Sequence, residues 1–280
     1  MGSPRPKVRP GRVVSYVALI VLSIAFLIPF AWLVLSSFKE SDEIFLFPPK
    51  WIPTKFYWSN YIQATTVIPF LRYTLNTLLV AGLVALGNVL SSAFIAYGFA
   101  RFRFPGKNIL FIIMLATTMI PYQVLMVPQY ILFRDLGWLN SYLPLIVPAF
   151  FGSAFYIFLL RQFMMGIPYD LDEAALIDGA NAFQRFRYIV LPLTRPALTA
   201  VAILSFQGAW NDFLAPLIYL DDHNLFTLQL GLNLFKGSFR TDWNLLMAAS
   251  VLTMLPMLLL FFLAQRYFIE GITFTGSKEG

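Results

Sequence analysis

Residues 73–100 read YTLNTLLVAGLVALGNVLSSAFIAYGFA, 28 consecutive positions without Asp, Glu, Lys or Arg, closed by Arg72 and Arg101. A hydrocarbon core about 30 Å thick is crossed by about 20 helical residues. The stretch is long enough to cross as a helix, and its long apolar runs lack the alternation of a membrane β-strand. Ala81, Gly82, Ala85, Gly87, Ser91, Ser92 and Ala96 supply the small side chains that let helices approach closely in lipid.

Other windows of the same kind lie outward from it. Residues 13–38, 108–133, 136–160 and 243–265 are charge-free, and 196–220 holds a single acid, Asp212. The expectation is an all-α, polytopic membrane protein with six transmembrane helices at about 13–38, 73–100, 108–133, 136–160, 196–220 and 243–265. Residues 1–12 would form a short N-terminal segment, 166–195 a large loop and 266–280 a C-terminal tail. Pro121, Pro128, Pro144, Pro148, Pro216 and Pro256 fall in the later windows and predict kinks. The first window is too long for a signal-peptide core and no small-x-small site follows it, so it reads as a retained span.

Composition agrees. Of 280 residues, 59% are hydrophobic and 12% charged, with a mean hydropathy of +0.71. A soluble domain carries about 25% charge, so an ordinary soluble enzyme is excluded. There is no Cys and a single His, His223, which leaves no thiolate or His-pair metal site. No G-x-x-x-x-G-K-[ST] occurs, so the chain brings no phosphate-binding loop of its own. The net charge of +6 is spread between the spans and does not form a nucleic-acid patch.

Lys and Arg also give an orientation. Thirteen fall in the N-terminal segment, the 2–3 and 4–5 loops and the tail; seven fall in the other three loops. The positive-inside rule then places both termini in the cytoplasm. The 1–2 loop, with Trp51, Phe56, Tyr57 and Trp58, is an aromatic belt or a rim for an external partner.

The loop from Gly166 to Pro196 is too long for a turn. Asp170-Leu171-Asp172-Glu173 suggests a capping box with an acid at the N-cap. Glu173 to Asp178 reads as a short helix, with Gly179 at its left-handed C-terminal position. Asn181 is placed to cap a second helix, Ala182 to Val190, ending before Pro192. Ala174, Ala175 and Ala180 keep one side smooth.

Glu173-Ala174-Ala175, Asp178-Gly179-Ala180 and Ile189-x-Leu191-Pro192 together resemble the EAA loop of ABC-importer permeases. Met119-Ile120-Pro121, Gly137-x-x-Asn140, Leu160-Arg161-x-Phe163, Trp210-Asn211-Asp212-Phe213-Leu214 and Ala264-Gln265-Arg266-Tyr267 extend the resemblance to the carbohydrate-uptake branch. The pattern is similar to the shorter, six-span permease of maltose-transporter-type pairs. The resemblance implies a type I importer fold and a homologous second permease. It also implies two ATP-binding ABC subunits below and an extracytoplasmic solute-binding protein above. It implies alternating access with the EAA residues as coupling helix, and neither catalytic residue, metal nor cofactor in this chain.

Asp212 is the one acid inside the windows. Such a charge costs about 2.5–3.5 kcal/mol at a helix centre, so it should face the bundle interior or a wet cavity. Gln207 and Asn211 share one helix face, Gly208 and Asp212 the next, with Trp210 beside them. They are candidates for a translocation pathway or for interhelical packing bonds. A different solute, glycerol phosphate or a polyol, stays open within the same class. An ion-coupled secondary transporter is the remote alternative, disfavoured by the lone acid and the lack of an internal repeat. An intramembrane enzyme lacks a metal set or nucleophile–base pair.

Overall fold

The computed structural model describes residues 10–237 and 241–276. Among them helices dominate and the sole strand-like feature is one antiparallel bridge, Lys236 with Thr241. The order is α1 (Pro10–Ser36), α2 (Ser41–Ile44), α3 (Ser59–Val67), α4 (Phe70–Arg101), α5 (Lys107–Ala116), α6 (Tyr122–Asp135), α7 (Leu143–Ile146) and α8 (Ala154–Met165). Then come α9 (Asp170–Ile177), α10 (Ala182–Arg185), α11 (Leu191–Leu193), α12 (Arg195–Trp210), α13 (Leu214–Tyr219), α14 (Leu228–Asn233) and α15 (Trp243–Gly276).

Four helical stretches are long and apolar enough to cross a membrane, Val14–Ser36, Phe70–Arg101, Leu143–Met165 and Trp243–Leu263, and two bent pairs raise the number to at most six. The third expected span is one of the pairs. It bends by 96° between Lys107–Met119 and Tyr122–Asp135. The residue before a proline is pushed out of the helical region, and Ile120, before Pro121, is extended at φ −80°, ψ 115°. The fourth span begins seven residues later than the window 136–160 suggests, because Leu136–Tyr142 form turns around Gly137 at φ 69° and Asn140 at φ 53°. The fifth window, 196–220, is two helices, since α12 stops at Trp210 and α13 starts at Leu214. The second bent pair joins Ala182–Leu193 to Arg195–Trp210 at 77°. Helix α15 runs on to Gly276, so most of the expected tail continues the last helix.

The chain divides into two units, residues 1–68 with 234–254, and residues 69–233 with 255–280. In the first, the Asn60 amide donates to the carbonyls of Ser37 (2.9 Å) and Lys39 (2.8 Å) and accepts from Asn244 (3.1 Å). Part of the aromatic 1–2 loop gathers there: Phe56, Trp58 and Tyr61 lie around the Phe38 ring at 4.7–5.6 Å, with Phe56 and Trp58 still exposed.

The second unit is built on α4. Ala93, Ala96, Tyr97 and Ala100 pack with Ile157, Leu160 and Met164 of α8, with Phe186 and Val190, and with Ala197 and Val201 of α12. The small residues of the opening stretch are what bring these helices close. At Gly87 an added Cβ would meet the Phe150 ring at 2.7 Å, so only glycine admits that ring. Burial of this cluster sets the ends of α8 and α12 and hence the loop between them.

Candidate functional site: the α8–α12 loop and the break after Trp210

Helix α9 starts one residue earlier than a cap at Asp170 would require. Its N-cap is Tyr169, with no side-chain cap bond, and Asp170, Asp172 and Glu173 all lie in the first turn, where negative charge suits the helix dipole. The expected capping box is absent because the helix already includes Asp170, which leaves Tyr169 at the cap. Asp172 is buried, with a carboxylate oxygen 3.3 Å from the Arg101 guanidinium at the end of α4. The same guanidinium donates to the Ile167 carbonyl at 2.9 Å and sits 4.5 Å from the Tyr169 ring centre. The Tyr169 hydroxyl in turn donates to the Ala100 carbonyl at 2.9 Å.

The far end of α9 follows the sequence expectation. Gly179 has φ 83°. Its N–H donates to the Leu176 carbonyl at 3.1 Å and the Ala180 N–H to the Ala175 carbonyl at 2.9 Å, the paired bonds of a Schellman turn. Asn181 caps α10: its side chain accepts from the Gln184 N–H at 2.9 Å and its own N–H donates to the Gln184 side chain at 2.8 Å. The second helix does not stop before Pro192. It widens into a π-helical turn over Phe186–Val190, in which the Leu191 N–H reaches the Phe186 carbonyl, and continues through Pro192 to Leu193. Pro192 has no N–H to offer Tyr188, and the widened turn accommodates that loss.

Asp178, Gly179, Ala180, Gln184, Tyr188 and Ile189 surround one notch of about 260 Å³. Glu173 and Ala174 are exposed on α9, as are Leu176 at 58% and Ile177 at 86%. Ala175 is half-buried. Leu191 and Pro192 are half-buried in the helix behind the notch. The loop thus presents a short helix with an apolar tip beside a recess.

The second group of candidates divides. Asp212 lies in the break between α12 and α13, where its carboxylate accepts from the Ala215 N–H at 3.3 Å. It lines a cavity of about 250 Å³ with Gly208, Asn88, Tyr156, Ser205 and Thr227. The Asn88 amide donates to the Ser205 hydroxyl at 2.8 Å, while the buried Thr227 hydroxyl has no partner among the described residues. Gln207 and Asn211 face the other way and are exposed, with Gln229 donating to Asn211 at 3.5 Å. Trp210 is not beside this polar face. It is 1% exposed and stacked on Phe206 at 5.7 Å, because the helix turn that exposes Gln207 and Asn211 carries Trp210 inward.

Residues 88–273 match the family described as "Binding-protein-dependent transport system inner membrane component". The chain belongs to that family. The permease is 35% identical to the diacetylchitobiose uptake system permease protein NgcG of Streptomyces coelicolor, over 90% of its own length and 84% of the relative's. It is 35% identical to the sn-glycerol-3-phosphate transport system permease protein UgpE of Pectobacterium atrosepticum, over 92% and 94%. Its fold matches a chain in the crystal structure of a bacterial ABC transporter involved in the import of the acidic polysaccharide alginate. That match has a TM-score of 0.78 at 22% identity, and covers 95% of this chain and all of the other. The permease is therefore a membrane-spanning component of the type I importer fold.

Sequence reasoning missed Arg101, Tyr169 and Asp172 as a unit, and Asn88, Tyr156 and Thr227 as cavity walls. Arg101 was visible as the cation ending the longest window, and Asp172 as one acid too many for a cap.

Proposed function

We propose that this permease carries a neutral sugar, or a solute of similar polyhydroxyl chemistry, into the cell by alternating access. A homologous permease would complete the pathway, two ATP-binding subunits would dock from the cytoplasm, and an extracytoplasmic solute-binding protein would deliver solute. ATP hydrolysis would belong to those subunits, with no catalytic group from this chain. Both termini would be cytoplasmic. With no native Cys, single-Cys variants test that orientation: an impermeant thiol reagent should label Asp221→Cys from outside and spare Asp170→Cys, and the reverse would invert it.

The coupling assignment rests on the apolar tip of α9. Leu176 and Ile177 stand in solvent at the C-terminal end of a helix whose first turn is fixed to α4 through Asp172. Exposed apolar residues on a rigid, short helix favour a groove in a partner protein. Glu173, Ala174, Ala175, Asp178, Gly179, Ala180, Ile189, Leu191 and Pro192 make up this element. Gly179 tests it cleanly. Nothing lies within 4 Å of a Cβ built there, so a side chain has room and only the left-handed backbone resists it, by about 1 kcal/mol or more. Gly179→Val should insert normally, hold the ATPase subunits weakly and abolish uptake. Normal uptake with normal stimulated ATPase activity would refute the assignment.

Gln207, Asn211 and Asp212 are proposed for the pathway, with Trp210 bracing them from behind. The cavity beside Asp212 sets hydroxyls, an amide and a carboxylate among Val80, Val84, Leu145 and Pro216, with no Lys or Arg in its lining. A lone carboxylate repels a phosphate and accepts hydrogen bonds from sugar hydroxyls. That favours a neutral polyol or sugar over an organophosphate. The kinship with UgpE supplies the competing reading. Competition of labelled-solute uptake by neutral oligosaccharides and by glycerol phosphate decides between them.

A further inference from the structure

Helix α4 differs from every other membrane-crossing stretch among the described residues. It contains no proline across 32 residues, whereas Pro29 lies in α1, Pro128 in α6, Pro144 beside α8, Pro196 in α12 and Pro256 in α15. At 1.5 Å per residue it is a rod about 48 Å long.

Each end of the rod is gripped by side-chain bonds. At one end Arg101 holds Asp172 (3.3 Å) and the Ile167 carbonyl (2.9 Å), Tyr169 holds the Ala100 carbonyl (2.9 Å), and the Tyr97 hydroxyl donates to the Ala182 carbonyl (3.1 Å). These bonds fix both flanks of the Gly179 turn. At the other end the Asn76 amide donates to the carbonyls of Asn224 and Phe226, each at 2.9 Å. The Leu228 N–H donates to the Thr77 hydroxyl at 2.7 Å, and Arg72 holds the Asn224 side chain. The Tyr73 ring leaves no room for a Cβ on Gly231 of α14. Midway, Asn88 of α4 is bonded to Ser205 of α12 in the wall of the Asp212 cavity.

We propose that α4 is the transmission rod of this permease: it carries displacement of α9 as one rigid body to residues 221–228 at its opposite end. The inference rests on α9 being the coupling helix. A buried ion pair and paired amide bonds resist small slippage, and an uninterrupted helix has no hinge along its length. Arg101, Asp172, Asn76 and Thr77 are positioning residues, acting through the elements they fix.

Spin-label distances in the assembled complex with its ATPase subunits test the rod. Asp170→Cys and Asp221→Cys report across it; Asp170→Cys and Met119→Cys report on the break between α5 and α6, which neither clamp holds. On adding Mg-ATP the 170–119 distance should change while the 170–221 distance stays within about 2 Å. Replacing the ion pair as Arg101→Met with Asp172→Leu should make the 170–221 distance nucleotide-dependent, with a shift of about 5 Å, the size of a one-turn step. If that variant fails to assemble, Asn76→Ala with Thr77→Val at the opposite end carries the same expectation. A native 170–221 shift of about 5 Å overturns the rod. So does an unchanged 170–221 distance in the assembled variant while 170–119 still moves. If ATP moves neither pair, α9 does not couple, and both the assignment beneath the proposal and the rod are refuted.

Discussion

Asp172 and Asp212 are acids withdrawn from water in one chain, and their surroundings are opposite. Asp172 has a guanidinium at 3.3 Å and an aromatic ring over that guanidinium. Asp212 has a backbone N–H, two polar side chains of α4 and α12 nearby, and about 250 Å³ of open space. A buried charge with an opposite charge fixes geometry; a charge beside a polar cavity keeps its remaining lone pairs for water or solute. Position in the sequence does not separate the two roles, since both acids sit close to helix ends. The partner separates them.

The largest effect should come from breaking the paired acid. Arg101→Leu leaves uncompensated the carboxylate of Asp172, whose side chain is 7% exposed, a loss of about 3–5 kcal/mol. Denaturant unfolding of the purified permease should show it, and adding Asp172→Leu should restore most of the stability. A single variant as stable as the native chain would mean that the pair is not a clamp.

The unpaired acid should respond the other way. Removing a charge that costs about 2.5–3.5 kcal/mol to hold in the membrane does not destabilise a cavity wall. Asp212→Leu is expected to assemble and hydrolyse ATP while uptake falls at least about tenfold, the loss of one hydrogen bond to a sugar hydroxyl made by a charged group. Asp212→Asn should keep most of the transport. A fully active Asp212→Leu complex would remove Asp212 from the pathway.

A smaller effect is expected at the cap. Asn181→Ala removes the capping box with Gln184 and should cost about 1 kcal/mol. Faster amide exchange confined to residues 182–185 would sharpen the contrast with the ion-paired side of the same loop, which should not change.

The smallest concerns a third acid, Glu43, at the surface. Thr54 donates to it from its hydroxyl at 2.5 Å and its N–H at 2.8 Å, and these bonds hold the carboxyl below its ordinary value of 4.5. A depressed folded value means that the stabilisation is present above pH 4.5 and is lost as pH falls through the folded value. Thr54→Val should move the Glu43 titration up towards 4.5, with a stability change within about 0.5 kcal/mol. Carboxyl chemical shifts followed against pH measure it.

Much of this was legible along the chain. The window 73–100 lies inside Phe70–Arg101, and Gly179 and Asn181 occupy the cap positions that their chemistry requires. These features depend on neighbours within a few residues. The Arg101–Asp172 pair spans 71 positions, and nothing local marks it. The acid cluster before α9 was ambiguous because acids suit both an N-cap and a first helical turn. Hydropathy also counts residues without recording direction, so it could not see the chain turn by 96° before Pro121 or stop at Asn211.

The widened turn over Phe186–Val190 gives the motif's spacing a mechanical meaning. With the Leu191 N–H bonded five residues back, the turn holds one residue more than an α-helix would. Deleting that residue would close the segment into an ordinary α-helical turn, the helix beyond keeping its direction, and would set the Pro192 ring against the carbonyl four residues before it. The extra residue is thus the slack that admits a proline in mid-helix, and losing it would strain the helix at Pro192 without turning it.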